Sequence, residues 1–168
     1  MRRSFLLLIV IVTILFAGLI FSNPGKENNE DVKKFKKEIM DADKAFSRMS
    51  EEKGMAEAFL FYAADDVIRM KNNQFPNMNK EELRKDFENF DIEKAPALTW
   101  EPVKADAALS GELGYTFGKW ILKGKDDTGK EKLTYGNYMT VWKRQLDGSW
   151  KFVLDGGNTT PPPVNKSN

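Results

Sequence analysis

The sequence predicts an α+β domain, with three N-terminal helices packed on one face of a curved antiparallel sheet. Three observations carry that expectation. Apolar residues recur at spacings of three and four up to about residue 90, the period of a helix with one buried face. From residue 98 onward, aromatic and β-branched residues gather in stretches separated by the turn signals "SG", "KDDTGK" and "LDGS". The chain has 168 residues, 41 % apolar and 30 % charged, which suffices for one domain with its own core.

The elements follow in order. "MRRSFLLLIVIVTILFAGLIFSNPG" places two arginines before the uncharged run Phe5 to Phe21. That run is long for a signal-peptide core and short for a membrane helix, so residues 1–22 read equally as an export signal or an uncleaved anchor. Ala17 and Ser22 are the small residues near a cleavage point, with Leu15 and Ile20 at their −3 positions. Under either reading Arg2 and Arg3 stay cytoplasmic and the domain is extracytoplasmic, periplasmic or secreted. If the leader is retained, residues 5–21 tie the chain to a membrane. Residues 23–30 read as a polar linker, and residues 31–158 as the folded domain. Phe35, Ile39, Ala42, Phe46 and Met49 trace the first helix. Gly54 breaks it, and Met55, Ala58, Phe59 and Tyr62 trace a second, ending near "AADD". Asp66 to Met70 reads as a short strand. Asn79 and Glu82 have capping-box spacing ahead of a third helix buried through Leu83, Phe87 and Phe90. Four strand stretches follow, "LTWEPVKADAAL", "ELGYTFGKWILKG", "KLTYGNYMTVWKRQ" and "SWKFVLDGGN". The tail at 159–168, "TTPPPVNKSN", is expected to leave the sheet as a disordered end. Three helices cannot cover both faces of such a sheet, so one face is expected to be wet or to meet a second copy.

Composition removes whole classes of function. Without Arg2 and Arg3 the chain carries 24 basic and 25 acidic residues, with no basic block for nucleic acid. There is no cysteine, hence no disulfide, thiol nucleophile or Cys-zinc site. There is no histidine, which removes Ser-His and Cys-His triads and His-ligated metals. A carboxylate-only metal site stays open, but nothing has EF-hand loop spacing. No motif asks for a cofactor. Catalysis would fall to Asp, Glu, Tyr, Lys or Ser.

One acid stands out. The last strand runs through Phe152, Val153 and Leu154 into Asp155 and then Gly156-Gly157. A two-residue type I′ turn at Asp147-Gly148 pairs Leu146 with Ser149. It then sets Thr140 opposite Asp155, Trp142 opposite Val153 and Tyr138 opposite Gly157. Tyr138, Thr140, Trp142, Val153 and Asp155 share one face in that register, and Met139, Val141, Phe152 and Leu154 the other, with Lys143 and Trp150 towards its turn end. The first face has apolar walls and a few polar groups, as pocket linings do, and is read as the concave one. Asp155 has three readings: a strand-end bond to backbone, a salt bridge to Arg69, or a ligand-facing or catalytic carboxylate. Tyr62, Tyr115, Trp100 and Trp120 carry polar handles but read first as packing. Asp65 and Asp66 are adjacent in an extended chain and point opposite ways, which argues against a paired-carboxylate mechanism.

Three phrases, "ADKAFSRMSEEKGMAEAFLFYAADDVI", "LTWEPVKADAALSGELGYTFGKW" and "YGNYMTVWKRQLDGSWKFVLDGGN", make residues 31–158 resemble the nuclear transport factor 2-like superfamily. Within it they resemble the SnoaL-like and domain-of-unknown-function 4440 families of exported bacterial proteins. The resemblance implies a cone-shaped, cystatin-like α+β fold but no single activity. Ketosteroid isomerase members place a general-base Asp a few residues after a similar "Y-A-D-D" phrase. Here that count reaches Lys71, flanked by Met70 and Asn72, so the isomerase mechanism is not supported. The Asp-His pairs of dehydratase and cyclase members are excluded by the missing histidine.

The resulting expectation is a binding domain for a small apolar or aromatic molecule. Its ligand-facing residues are drawn from Tyr62, Arg69, Tyr115, Tyr138, Thr140, Trp142 and Asp155. One alternative is an isomerase, lyase or hydrolase with Asp155 as base and Tyr138 or Tyr62 as donor. The other is a homodimeric interaction module using the outer sheet face.

Overall fold

A computed structural model describes residues 24–88 and 97–164. The leader at 1–22 and Phe90 lie outside the described residues. Helix α1 spans Pro24–Lys53, so the stretch expected as a linker is helical from Pro24. Gly54, at φ 90°, separates it from α2, Met55–Tyr62. Strand β1, Ala63–Lys71, starts three residues earlier than expected, directly from the end of α2. Strand β2, Gln74–Asn77, was not anticipated: four residues containing a proline carry little strand signal. Helix α3 is Lys80–Glu88. Its start is capped as the spacing predicted, with the Glu82 amide donating to Asn79 Oδ1 at 2.9 Å and the Met78 amide to Glu82 Oε2 at 2.8 Å. Strands β3, Ala97–Ala107, β4, Leu113–Lys125, β5, Glu131–Arg144, and β6, Trp150–Thr160, complete the sheet.

The sheet order is β2-β1-β6-β5-β4-β3. It is mixed rather than wholly antiparallel, because β1 and β6 pair in parallel. One helix and three long strands intervene between them, enough chain to bring β6 back in the same direction. Strand β6 also runs two residues past the expected domain end, with Thr160 opposite Tyr135, and Pro161–Val164 follow outside the sheet.

The three helices of the described residues cover one face. Phe46 of α1 is the hub of the core, its ring centroid 4.8 Å from Phe59, 4.5 Å from Trp100 and 5.4 Å from Phe152. Two serines anchor α1 to the edge strand β3. Ser47 Oγ donates to the Trp100 carbonyl at 2.7 Å, and Ser50 Oγ donates to the Leu98 carbonyl at 2.9 Å. These bonds satisfy carbonyls of an edge strand, which otherwise offer themselves to foreign chains.

The β5–β6 hairpin departs from the predicted turn and then returns to the predicted register. The Gln145 amide donates to the Ser149 carbonyl at 2.8 Å, closing a three-residue loop with Gly148 at φ 83°. The type I′ turn is therefore absent, because Asp147 keeps a negative φ and caps the Ser149 amide at 2.9 Å instead. Near the turn, Trp142 pairs with Phe152, not Val153. A bulge at Val153 then restores the register, so Thr140 stands opposite Asp155 and Tyr138 opposite Gly157 as expected. The same bulge moves Phe152 and Trp150 from the face assigned to them by simple alternation into the core.

Candidate functional site

The helix-covered face is hollow near its centre, where small residues meet large ones. Gly118 of β4 lies under the Tyr138 ring, and any Cβ there would collide with that ring and with the Glu101 carbonyl. Gly136 of β5 lies under Trp120 in the same way. The rings are held flat against backbone, and a partly open cleft of about 150 Å³ remains above them. Phe46, Phe59, Leu98, Trp100 and Trp120 wall it. Tyr138, Thr140, Asp155 and Gly156 floor it, and Met70 and Asn72 stand at its edge.

Of the residues predicted from sequence, Tyr138, Thr140 and Asp155 meet in this cleft. Arg69 lies behind it: it is the cross-strand neighbour of Asp155, with its guanidinium 4.7 Å from the Phe59 ring centroid and 5.3 Å from that of Phe87. Trp142 is fully buried in the core, its indole donating to Thr116 Oγ1 at 3.0 Å. Tyr62 packs on Phe46 at 5.0 Å and does not line the cleft. Tyr115 faces outward, beside Met139 and Val141 on the uncovered side of the sheet. Trp100 and Trp120, read first as packing, both wall the cleft.

Asp155 accepts a hydrogen bond from Thr140 Oγ1 at 3.2 Å and another from the Gly156 amide. Burial is the largest influence on its carboxyl group and pushes it up to about 6. The positive charge of Arg69 and the Thr140 bond oppose that rise, while the nearby Asp43 carboxylate adds to it. Asp155 lies within β6 rather than at its end, so the strand-end reading does not hold, whereas the charge of Arg69 and the lining of the cleft meet at this one carboxylate.

The residue the sequence reading missed is Asp43. It is fully buried on α1, accepting from Tyr138 Oη at 2.8 Å and from Trp100 Nε1 at 2.6 Å, with Thr116 as a further donor. Burial raises its pKa against those three bonds. The Tyr138 hydroxyl is itself pushed far up, first by burial and then by the Asp43 charge, and stays protonated. The signal lay in the spacing: Asp43 falls four residues after Ile39 and three before Phe46, on the apolar stripe. Among the described residues, no group of three or more carboxylates is placed to hold a metal ion.

A wider groove of about 430 Å³ lies beyond Trp120, formed with Tyr135, Thr160, Pro161 and Pro163. Trp120 is the partition between groove and cleft, with its Nε1 donating to the Asn137 carbonyl at 3.1 Å. The cleft is smaller, but of the two it is the one lined by the half-buried Asp155.

No family model and no curated protein matches the chain. Solved structures do. A nuclear transport factor 2-like protein with a cystatin-like fold from Novosphingobium aromaticivorans superposes with TM-score 0.64 at 10 % identity, covering 88 % of this chain and 94 % of that one. A ketosteroid isomerase-like protein from Erwinia carotovora atroseptica gives TM-score 0.60 at 13 % identity, covering 73 % and 95 %. A structure from Catenulispora acidiphila in complex with S-DNPA gives 0.57 at 10 % identity, covering 73 % and 90 %. At these identities the likeness establishes the architecture, the nuclear transport factor 2-like cone.

Proposed function

We propose that this chain, with its nuclear transport factor 2-like fold, is a small-molecule-binding domain that takes up a ligand of single-ring size in the cleft above Asp155. The carrying observation is the cleft itself: about 150 Å³, aromatic walls, and one half-buried carboxylate on its floor. Apolar walls with a few aimed polar groups are the usual make-up of a ligand site. An apolar cavity of about that volume admits a benzene ring. The neighbour solved with S-DNPA lends support by example, since its fold holds a small molecule. Titration with benzyl alcohol, followed by calorimetry and by the fluorescence of Trp100 and Trp120, tests the proposal. Saturable binding is expected, and its absence from the folded protein defeats it. The leader's character suggests that the domain works outside the cytoplasm.

A second reading rests on the carboxyl of Asp155, held near 6 beside the hydroxyl of Tyr138. A group of that pKa exchanges protons readily near neutrality and suits a general base. In this reading Asp155 removes a proton from a bound acid while the buried hydrogen-bond network keeps the floor rigid. A third reading concerns the uncovered sheet face, where Leu113, Phe117, Ile121, Leu133 and Met139 are each 40–44 % exposed. That stripe suits a second copy of the chain, because one apolar patch then buries both partners' surfaces.

A further inference from the structure

The hydrogens of the cleft's polar side chains are already committed. The Tyr138 hydroxyl gives its one hydrogen to Asp43, and Trp100 gives its indole N–H to the same carboxylate. Trp120 donates to the Asn137 carbonyl, and Thr140 donates to Asp155. Among the lining residues, Asn72 at the exposed edge is the side chain with an N–H left to offer. What faces the interior is acceptor: the Asp155 carboxylate and the remaining lone pair of Tyr138 Oη. Among the described residues, no lysine or arginine lines the cleft. Arg69 balances Asp155 from behind, with its guanidinium laid on Phe59 and Phe87.

The walls agree with the floor. Phe46, Phe59, Trp100 and Trp120 present aromatic rings, whose faces attract cations. A carboxylate ligand would meet like charge, with the Asn72 amide at the exposed edge as its one side-chain donor among the described lining residues. An uncharged apolar ligand would leave Asp155 without a ligand partner. A protonated amine satisfies both acceptors and gains from the rings. We infer that the cleft selects a ligand consisting of a single aromatic ring carrying a protonated amine, an inference that rests on the cleft being a ligand site.

Charge selection should follow the ionisation of Asp155. The charged and titratable groups around it are Arg69 on β1, Asp43 on α1 and Tyr138 on β5, with Asp86 of α3 acting on Arg69. Of these, Asp155 is the one whose carboxyl is placed at about 6. Ammonium binding therefore strengthens as pH rises through that value.

The test is calorimetric titration of the full chain with benzylamine, benzyl alcohol and benzoate, near pH 8 and near pH 5. Benzylamine is expected to bind about tenfold or more tightly than benzyl alcohol near pH 8, a margin of at least about 1.4 kcal/mol. Benzoate is expected to be weakest. The benzylamine margin should shrink near pH 5 and vanish in Asp155→Asn, a substitution that mimics the neutral carboxyl. Tyr138→Phe should weaken benzylamine more than it weakens benzyl alcohol. If benzyl alcohol or benzoate matches benzylamine, or if the margin survives Asp155→Asn, the inference is wrong and the cleft remains a ligand site. If none of the three binds a protein shown by circular dichroism to be folded, the ligand-site reading fails and the inference falls with it.

Discussion

Tyr138 on β5 donates its hydroxyl hydrogen to Asp43 on α1 across 2.8 Å, bonding the inner face of the sheet to the helix that covers it. That bond orients the tyrosine that floors the cleft and supplies a partner to an acid with no access to water. Trp100 and Thr116 complete the carboxylate's donors, so four elements meet at one side chain.

Removing that acid should be costly. Asp43→Ala leaves the Trp100 indole, the Tyr138 hydroxyl and Thr116 short of an acceptor in the core. Each buried donor left unpaired costs about 1–3 kcal/mol, so a loss of roughly 3 kcal/mol or more is expected in urea denaturation. Asp43→Asn, which keeps one carbonyl acceptor, should lose less.

Asp155 should make stability depend on pH in a particular direction. Its carboxyl ionises near 6 in the folded chain and near an ordinary value of about 4 when unfolded. Between those values the folded state holds a proton that the unfolded state has released, so stability falls as pH rises through the window. Asp155→Asn removes that dependence. Thermal melts should show the variant more stable than the parent above about pH 6, with the difference closing towards about pH 4.

Gly118 should resist any side chain. A Cβ there meets the Glu101 carbonyl and the Tyr138 ring, and backbone cannot step aside as a flexible side chain does. Gly118→Ala is expected to cost about 1–3 kcal/mol by overpacking. It should also weaken cleft binding through displacement of Tyr138, as read by parallel urea melts and benzyl alcohol titration.

The outer face makes a separate prediction for the homodimer reading. Phe117 and Met139 are cross-strand partners on that face, each at least 40 % exposed. Phe117→Glu places a charge at the middle of the apolar stripe. Light scattering should find a dimer in the parent and a monomer in the variant, whereas an unchanged mass removes this face as the contact.

Much of this architecture could be read along the chain because its signals are local. The Asn79–Glu82 cap, the break at Gly54 and the alternation in β4 and β5 all act within a few residues. The parallel pairing of β1 with β6 has no such signal, since its partners lie far apart in sequence. The Asp155 face was legible although the turn was not. The three-residue loop shifts the register by one, and the bulge at Val153 shifts it back before Thr140 meets Asp155. Phe152, lying between those two irregularities, was therefore misplaced. Asp43 was visible as an acid on an apolar stripe, but its donors come from β3, β4 and β5, and only the folded chain brings them together. Tyr115 was assigned by residue chemistry, whereas strand facing sends it outward; Trp142 keeps the face that its register predicts but is sealed in the core beneath the helices.

The central claim is that the cleft above Asp155 is where a small aromatic molecule binds. Backbone amide shifts of the ¹⁵N-labelled protein, followed during titration with benzyl alcohol, test it most directly. The account predicts saturable shifts concentrated at Met70, Asn72, Thr140, Gly156 and Gly157, the lining of the cleft. Shifts confined to the outer face around Phe117 and Met139, or no saturable shifts, would contradict it.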